Sequence, residues 1–366
     1  MKVVCTGEKL KNAIILCERI TGKNLTLPVL GALLLIASGK TLKIRATNLS
    51  LGIEFEIPAK IETEGVVLVK GEVIAGIMGT LADSDEITLT LENENLVLKT
   101  KKSKLLVKCL PTEDFPTLPA VQEGIVFSID PKVLVQGIKA VSFAAAVSDI
   151  KPEISAIFIY TDAEHIVFVA TDSFRLAEKK LKLKQVPEIT QLLIPFKNIA
   201  EITRVLEGVN GEVRIEFTKN LISFSGGGIF LTSRLVDGIF PDYRQIIPKE
   251  WKTQCVLLKQ DLSNTLRLST IFADKFQQTM FSLNPAEKTV SVTSQNADVG
   301  ENTSSVDAVL KGEPIEVTIN LRYFLDAFQA LSGDSIAIEL TQPNRALVVK
   351  SVSDHNFLYL LMPLNR

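Results

Sequence analysis

The chain repeats itself three times, and an internal repeat decides architecture before any single motif does. Residues 69–100 read VKGEVIAGIMGTLADSDEITLTLENENLVLKT, residues 194–225 read IPFKNIAEITRVLEGVNGEVRIEFTKNLISFS, and residues 319–351 read INLRYFLDAFQALSGDSIAIELTQPNRALVVKS. Each copy predicts an apolar-striped helix, a Gly/Asp/Ser break, an alternating strand, a polar tight turn and a second strand. In the middle copy Ile199, Ile202, Val205 and Leu206 share one helical face, while Lys197, Glu201 and Arg204 share the opposite one. The EVRIEF that follows alternates polar and apolar residues, as a half-buried strand does.

A finer period lies inside the triplet. Helix starts are expected near residues 7, 70, 131, 195, 259 and 321, a spacing of about 63 residues. Two proline-bearing stretches, PTEDFPTLP at 111–119 and GIFPDYRQIIP at 238–248, read as linkers, with Phe115-Pro116 corresponding to Phe240-Pro241. The expectation is therefore an α+β chain of three homologous domains, 1–120, 121–248 and 249–366, each a pseudo-duplicate with two helices packed on antiparallel sheets. Asp130-Pro131 is a helix start signal, an N-cap followed by proline at the first helical position. In the fifth helix, Lys259–Ile271, the residues Leu258, Leu262 and Leu266 fall on one side. The glycines of SFSGGGIF, at 223–230, sit between strands with no helix to receive a phosphate, so they read as a turn.

Several classes of function are excluded by what accompanies the repeat. Cys5, Cys17, Cys109 and Cys255 are isolated, and His165 and His355 are the only histidines, so neither a metal site nor a disulfide framework is expected. No P-loop, GxGxxG, HExxH or GxSxG occurs, and no cofactor is expected. Asp172 and Glu178 could be imagined as a carboxylate pair, but acidic residues beside a strand are expected to be solvated. The start, MKVVCTGEKL, lacks the apolar stretch of a secretory signal, and no run is long enough to span a membrane, so a cytoplasmic chain is expected. Net charge is −2, so any dealings with nucleic acid require positive charge gathered on one surface.

Six equivalent helices must cover strongly β structure with their apolar stripes. If domains join end to end by strand pairing, the helices fall on one side of a curved row, and such a row closes into a ring or grows without limit. The polar helical faces carry Lys9, Lys11, Arg19, Lys132, Lys139, Lys197, Arg204, Lys259, Arg267 and Arg322, and adjacent loops add Lys23 and Lys151. Two readings stay open: ordinary solvated faces, or a dispersed positive lining that meets phosphates without reading bases. The helix at 71–81 favours the first, since it has no basic residue beyond Lys70.

Five segments in order then resemble one family, the β sliding clamp of bacterial DNA polymerase III. They are LTLPVLGALLL at 25–35, ATDSFRLA at 170–177, FPDYRQIIP at 240–248, INLRYFLDAF at 319–328 and YLLMPLNR at 359–366. The resemblance implies a head-to-tail homodimer, a six-domain ring lined by helices that encircles double-stranded DNA without sequence preference and has no catalysis of its own. Ring opening is expected to need a separate ATP-driven loader, since the sequence shows no nucleotide site. The resemblance also implies a groove between the second and third domains for short hydrophobic motifs of the polymerase III catalytic subunit, the clamp loader, and other polymerases and repair proteins. Carried over position by position, the groove comprises Ile154, Thr171, Ser173, Phe174, Arg175, Leu176, Pro241, Gln245, Ile246, Phe276, Asn320, Tyr323, Leu360, Met362, Pro363 and Leu364. Aliphatic and Met side chains would make an adaptable pocket, with Arg175 and Asn320 as polar fixing points at its rim. Read without the resemblance, Met362-Pro363-Leu364 is a core-packing terminal strand.

Departures from the family pattern are Phe174 where His is frequent, Gln245 where Arg is frequent, Ser155-Ala156 where an Asn/Thr-Gly pair usually opens the strand, and the ending Asn365-Arg366. The dimer seam is expected to join an edge around residues 103–108 to one around 294–303. A peptide-docking scaffold with incidental basic helices is the competing reading from another class. An enzyme would need a nucleophile, base and orienter that the sequence does not offer.

Overall fold

The structure is a computed structural model, and it describes residues 1–22, 27–81, 86–148, 150–184, 187–189 and 191–364. One unit recurs through it: a strand runs directly into a helix, and three antiparallel strands follow. The first round is β1 (Lys2–Thr6), α1 (Gly7–Ile20), β2 (Ala32–Ser38), β3 (Thr41–Thr47) and β4 (Leu51–Pro58), with a short β5 (Lys60–Thr63) appended. The second is β6 (Gly65–Lys70), α2 (Gly71–Thr80), β7 (Glu86–Glu92), β8 (Asn95–Lys99) and β9 (Lys104–Leu110). The third is β10 (Ile125–Ile129), α3 (Pro131–Val141), β11 (Ala156–Asp162), β12 (His165–Thr171) and β13 (Arg175–Lys182). The fourth is β14 (Leu192–Pro195), α4 (Phe196–Glu207), β15 (Val213–Phe217), β16 (Leu221–Gly226) and β17 (Ile229–Arg234). The fifth is β18 (Thr253–Leu258), α5 (Lys259–Ile271), β19 (Gln278–Asn284), β20 (Thr289–Asn296) and β21 (Gly300–Gly312). The sixth is β22 (Ile315–Asn320), α6 (Leu321–Ala327), β23 (Ser335–Leu340), β24 (Leu347–Ser351) and β25 (Phe357–Leu361).

The rounds come in twos because each lends its first strand to its neighbour. β1 pairs with β7 while β6 pairs with β2, β10 with β15 while β14 pairs with β11, and β18 with β23 while β22 pairs with β19. Each helix is thus the crossover between a strand in one ladder and a strand in the other, which is why it starts without a loop.

The chain divides into two compact units, residues 1–135 with 198–235, and residues 136–197 with 236–366. The first holds a 13-stranded sheet ordered β10-β15-β16-β17-β4-β3-β2-β6-β9-β8-β7-β1-β5. Its continuity depends on β17 lying antiparallel to β4, with Ile229 opposite Phe55 and Ser233 opposite Leu51. Helix α1 buries Leu10, Ala13, Ile14 and Cys17, the stripe that its spacing predicts, against β3, β4 and α2. Asn198, a polar residue on the buried face of α4, donates from Nδ2 to Ser233 Oγ at 2.9 Å and Ser50 Oγ at 3.1 Å. A buried amide satisfied in this way ties the start of α4 to β17 and to the turn before β4.

The second unit holds a 12-stranded sheet ordered β14-β11-β12-β13-β25-β24-β23-β18-β21-β20-β19-β22. Its internal seam is β13 against β25, with Leu176 opposite Leu360. Helix α5 packs on β20 and β21, and the stacked rings of Phe281 and Phe324, 5.5 Å apart, fill the space below α6. Asp130 caps α3 as its sequence predicts, its Oδ1 accepting the Lys132 N–H at 2.9 Å. The SFSGGGIF stretch is the tight turn joining β16 to β17.

Two expectations are corrected. Leu258 does not share the buried side of α5: it is 53% exposed. It closes β18, where alternation turns Thr253, Cys255 and Leu257 inward and Leu258 outward. The proline-bearing stretches are also more than connectors. Phe115 packs against Ala32, Leu34 and Leu68, and Phe240 is buried with its ring stacked 4.7 Å from that of Phe158.

Candidate functional site

The basic residues expected on helical faces divide by what holds them. Lys9, Arg19, Lys132, Lys139, Lys197, Arg267 and Arg322 are exposed on α1, α3, α4, α5 and α6, and Lys11 is half-buried. Lys151 is exposed in the turn before β11, its carbonyl accepting the N–H groups of Ile154 and Ser155. Lys23 lies outside the described residues. Two members, both half-buried, have partners within the protein. Arg204 forms an i,i+3 ion pair with Glu201 at 2.6 Å, and the Lys259 ammonium donates to the carbonyl of Leu331. The Glu201 carboxylate offsets the Arg204 charge, so the outward field of Arg204 is weaker than its position on the helix suggests, while the Leu331 carbonyl fixes where the Lys259 charge sits.

The residues carried over for a groove all fall in the second unit, in two neighbourhoods. The first is an apolar cleft of about 510 Å³ whose lining includes Gln245, Ile246, Ile247, Pro248, Thr341, Gln342, Ala346 and Met362. Leu176 and Leu360 lie in the buried cluster with Tyr243, Ala346 and Val348. Pro241 and Gln245 are exposed, and Gln245 donates to Asp242 at 2.7 Å. Residues 341–346 are a lining that sequence reasoning missed, since TQPNRA reads only as a polar turn and nothing in its residue types points to a cleft.

The second neighbourhood surrounds Arg175. Its Nε bonds Asp172 Oδ2 at 2.9 Å and its Nη1 bonds Asp326 Oδ2 at 2.6 Å, while the guanidinium lies 4.3 Å from the centre of the Tyr323 ring. Arg175 is thus engaged by two carboxylates and an aromatic face, which clasp the start of β13 to α6. Asn320 is likewise engaged, its Oδ1 capping α6 at the Tyr323 N–H (3.1 Å) and its Nδ2 donating to the Phe276 carbonyl. Thr171 bonds the Arg175 carbonyl, and Ser173 holds φ +78 in the turn between β12 and β13. Phe174 and Phe276, each 58% exposed, are the large rings left open here. Ile154 is buried. Residues 362–364 leave β25 and cross to another strand: the Met362 N–H bonds the Phe174 carbonyl and the Leu364 N–H bonds the Thr318 carbonyl, both at 2.8 Å. Pro363 and Leu364 are half-buried. Arg175→Lys keeps the charge but not the planar fork, so it is expected to lower stability by about 1–3 kcal/mol. Urea unfolding measures this, and an unchanged midpoint would remove the clasp.

Asp172 and Glu178 are not solvated as expected. Asp172 accepts the N–H groups of Phe174 and Arg175 besides its ion pair. Glu178 is 7% exposed and accepts from the Tyr243 hydroxyl, which also meets Tyr160 at 2.8 Å. Burial, then the charge of Glu178, pushes Tyr243 well above the ordinary phenol range. Each carboxylate thus has a structural task, and the two do not form an acid–base pair. Burial also pushes the thiols of Cys5 and Cys255 up to about 12, which holds them protonated. Among the described residues no group of three His, Cys, Asp or Glu side chains is placed to hold a metal, and no helix is long and apolar enough to cross a membrane.

Among the described residues, besides the strands that end each sheet, two strands, β9 and β21, have one side bare over part of their length. β9 pairs with β8 over 104–108 but meets β6 only at Cys109 and Leu110, so one side of 104–108 is bare. β21 pairs with β20 over 300–307 and with β18 over 308–312, which leaves one side of 300–307 bare. The expectation around 294–303 is therefore corrected in part. Ser294 is buried in β20 with its hydroxyl on Thr279, and the open edge lies one strand further, in β21. Exposed apolar side chains accompany both edges: Leu106 at 62% on β9, and Leu268 and Ile271 at 45% and 62% on α5 beside β21.

Comparison with known proteins agrees with this geometry. Profiles described as the N-terminal, central and C-terminal domains of the DNA polymerase III beta subunit match residues 1–119, 128–242 and 244–365. The beta sliding clamp of Escherichia coli is 28% identical over 348 residues, 93% of each chain. That of Synechococcus elongatus is 26% identical over 371 residues, covering 100% of this chain and 99% of its own. The crystal structure of a DNA polymerase sliding clamp from Pseudomonas aeruginosa superposes with a TM-score of 0.94 at 25% identity, covering 100% of both chains.

Proposed function

The chain belongs to the DNA polymerase III beta-subunit family, the sliding clamps, and from that premise we propose that two copies close head to tail into a six-domain ring around duplex DNA. The domains of that ring are 1–120, 121–248 and 249–366. The observation that carries the proposal is the pair of bare strand edges, 104–108 in β9 and 300–307 in β21, each flanked by exposed apolar side chains. An unpaired edge beside apolar surface is a template for another chain. Joining the β9 edge of one copy to the β21 edge of the other uses both, and doing so twice leaves neither of these two edges bare.

Inside the ring the exposed lysines and arginines of the helices meet phosphates. Such contacts are sequence-blind and weaken with salt. They suffice because topology retains the DNA, and their weakness permits sliding. The ring has no chemistry of its own and works in the cytoplasm. The apolar cleft at Ile246, Ala346 and Met362 takes short hydrophobic motifs from the polymerase catalytic subunit, the clamp loader, and other polymerases and repair proteins. Arg175 and Asn320 hold the frame of that region. The exposed rings of Phe174 and Phe276 are the contacts a ligand meets beyond the cleft.

The test is retention. Loaded by a clamp loader onto nicked circular DNA, the protein is expected to stay through gel filtration and to leave at least about tenfold faster once that DNA is linearised, since bare electrostatic contacts dissociate readily at physiological salt. Equal loss from both forms would sink the ring. Retention on neither, with peptide binding intact, would favour the scaffold.

A further inference from the structure

Among the described residues β22 ends the 12-stranded sheet, with β19 as its one strand neighbour. An antiparallel strand sends the main-chain groups of alternate residues to opposite edges. The Thr318 carbonyl accepts from Leu364, so Thr318 and, two residues earlier, Glu316 turn their main-chain groups away from β19. A cleft of about 600 Å³ runs along this side, lined among others by Glu316, Thr318, Lys252, Met280, Pro343 and Leu364. Thr341 and Gln342 line this cleft and the apolar cleft at Ile246 and Met362 alike, so the two share a wall. Its charges are of both signs, Lys252 against Glu313 and Glu316, so no single-signed field selects a ligand. What the cleft offers is main chain.

We infer that β22 takes the flanking segment of the partner peptide whose apolar anchor fills the neighbouring cleft, and that this segment adds to the sheet as one further strand. The inference rests on the groove reading above. Continuity through Thr341 and Gln342 argues for one peptide occupying both clefts. Leu364 already makes a first bond of such a ladder at Thr318, and the incoming segment pairs beyond it, with the main-chain groups of Glu316. Recognition of this kind supplies affinity from main-chain hydrogen bonds and asks little of side-chain identity. One edge would therefore serve partners whose flanking sequences differ.

The probes are fluorescein-labelled synthetic peptides titrated into the full-length protein: a short Gln- and Leu/Phe-rich anchor, the anchor extended at either end by Val-Thr-Val-Thr, and the same extensions with N-methylated amides. One extended peptide is expected to bind about tenfold more tightly than the anchor, the effect of one to two net hydrogen bonds, and N-methylation is expected to remove that gain. Equal affinity for all of them, or a gain that survives N-methylation, overturns the inference while leaving the groove intact. An anchor that does not bind overturns the groove reading, and this one with it. Glu316→Pro removes an outward N–H without touching the β19 ladder, a change that edge strands tolerate. It is expected to leave anchor affinity unchanged and abolish the gain, and a gain that persists overturns the inference. A gain seen only after removal of residues 365–366 would make the chain's own end the occupant. Mass above the dimer in light scattering would make it a second copy. Either result overturns a partner strand.

Discussion

Leu106→Asp and Ile271→Asp, introduced together, are expected to turn a dimer of about twice the 40.2 kDa chain mass into a monomer. Both side chains are 62% exposed, one on β9 and one on α5 beside β21, so the isolated chain loses little by the change. Burying one such side chain in an interface contributes about 1.5–3 kcal/mol. Replacing it by a carboxylate removes that gain and adds the cost of desolvating a charge without a partner. A head-to-tail ring contains the seam twice, so the penalty is incurred at both joints, and each joint closes the ring only while the other holds. Dissociation is expected to strengthen by at least about a thousandfold, roughly 4 kcal/mol in the dimerisation equilibrium. Light scattering over a dilution series measures it, and circular dichroism checks that the fold is kept. A variant that remains dimeric moves the seam away from these edges.

Gly312→Ala is expected to be the most damaging small substitution in the second unit. Gly312 closes the β18–β21 ladder opposite Thr253 with φ +105, and a Cβ there would stand 1.8 Å from the Lys252 carbonyl oxygen. The obstacle is main chain, so no rotamer change relieves it. Strain at such a φ and forced overpacking each cost about 1–3 kcal/mol, and together about 2–6 kcal/mol. Gly39→Ala is the matched control. It also has positive φ, +60, but nothing lies within 4 Å of its added Cβ, so the left-handed conformation is its one cost, about 1–2 kcal/mol. Urea unfolding of the two variants separates conformation from collision. Equal losses would mean that the Lys252 carbonyl yields.

The repeat was legible because helix periodicity and strand alternation are local, and each of the six rounds displays them within one stretch. The exchange of first strands was not. Nothing in Lys2–Thr6 says that its partner is β7 and not the nearer β2. Pairing is chosen by packing across both ladders, which no window of sequence contains. Residue identities at the site were easier to find than their tasks. Arg175 stands out in its motif, but its engagement by Asp326 and Tyr323 depends on α6, 151 residues along the chain from it. Glu178 looked solvated because strand parity does not reveal that Tyr243 covers it. Lys259 looked outward because the Leu331 carbonyl that claims its ammonium lies 72 residues away. Ala346 and Gln342 carry no chemical signal, and only the shape of the cleft brings them in.

The exchange of strands also bears on how the chain comes off the ribosome. Lys2 pairs with Thr90, Ile129 with Val213, and Thr253 with Leu340. No round of about 60 residues can complete a sheet by itself, because one of its edges waits for a strand not yet made. At synthesis rates of about 5–20 residues per second, the first strand waits several seconds for its partner β7 to emerge. The rounds are therefore expected to fold as three pairs and not as six separate pieces. The long-range closure in each makes it slow by the measure of contact order, so the nascent clamp is most exposed to chaperones and to mispairing halfway through each pair of rounds.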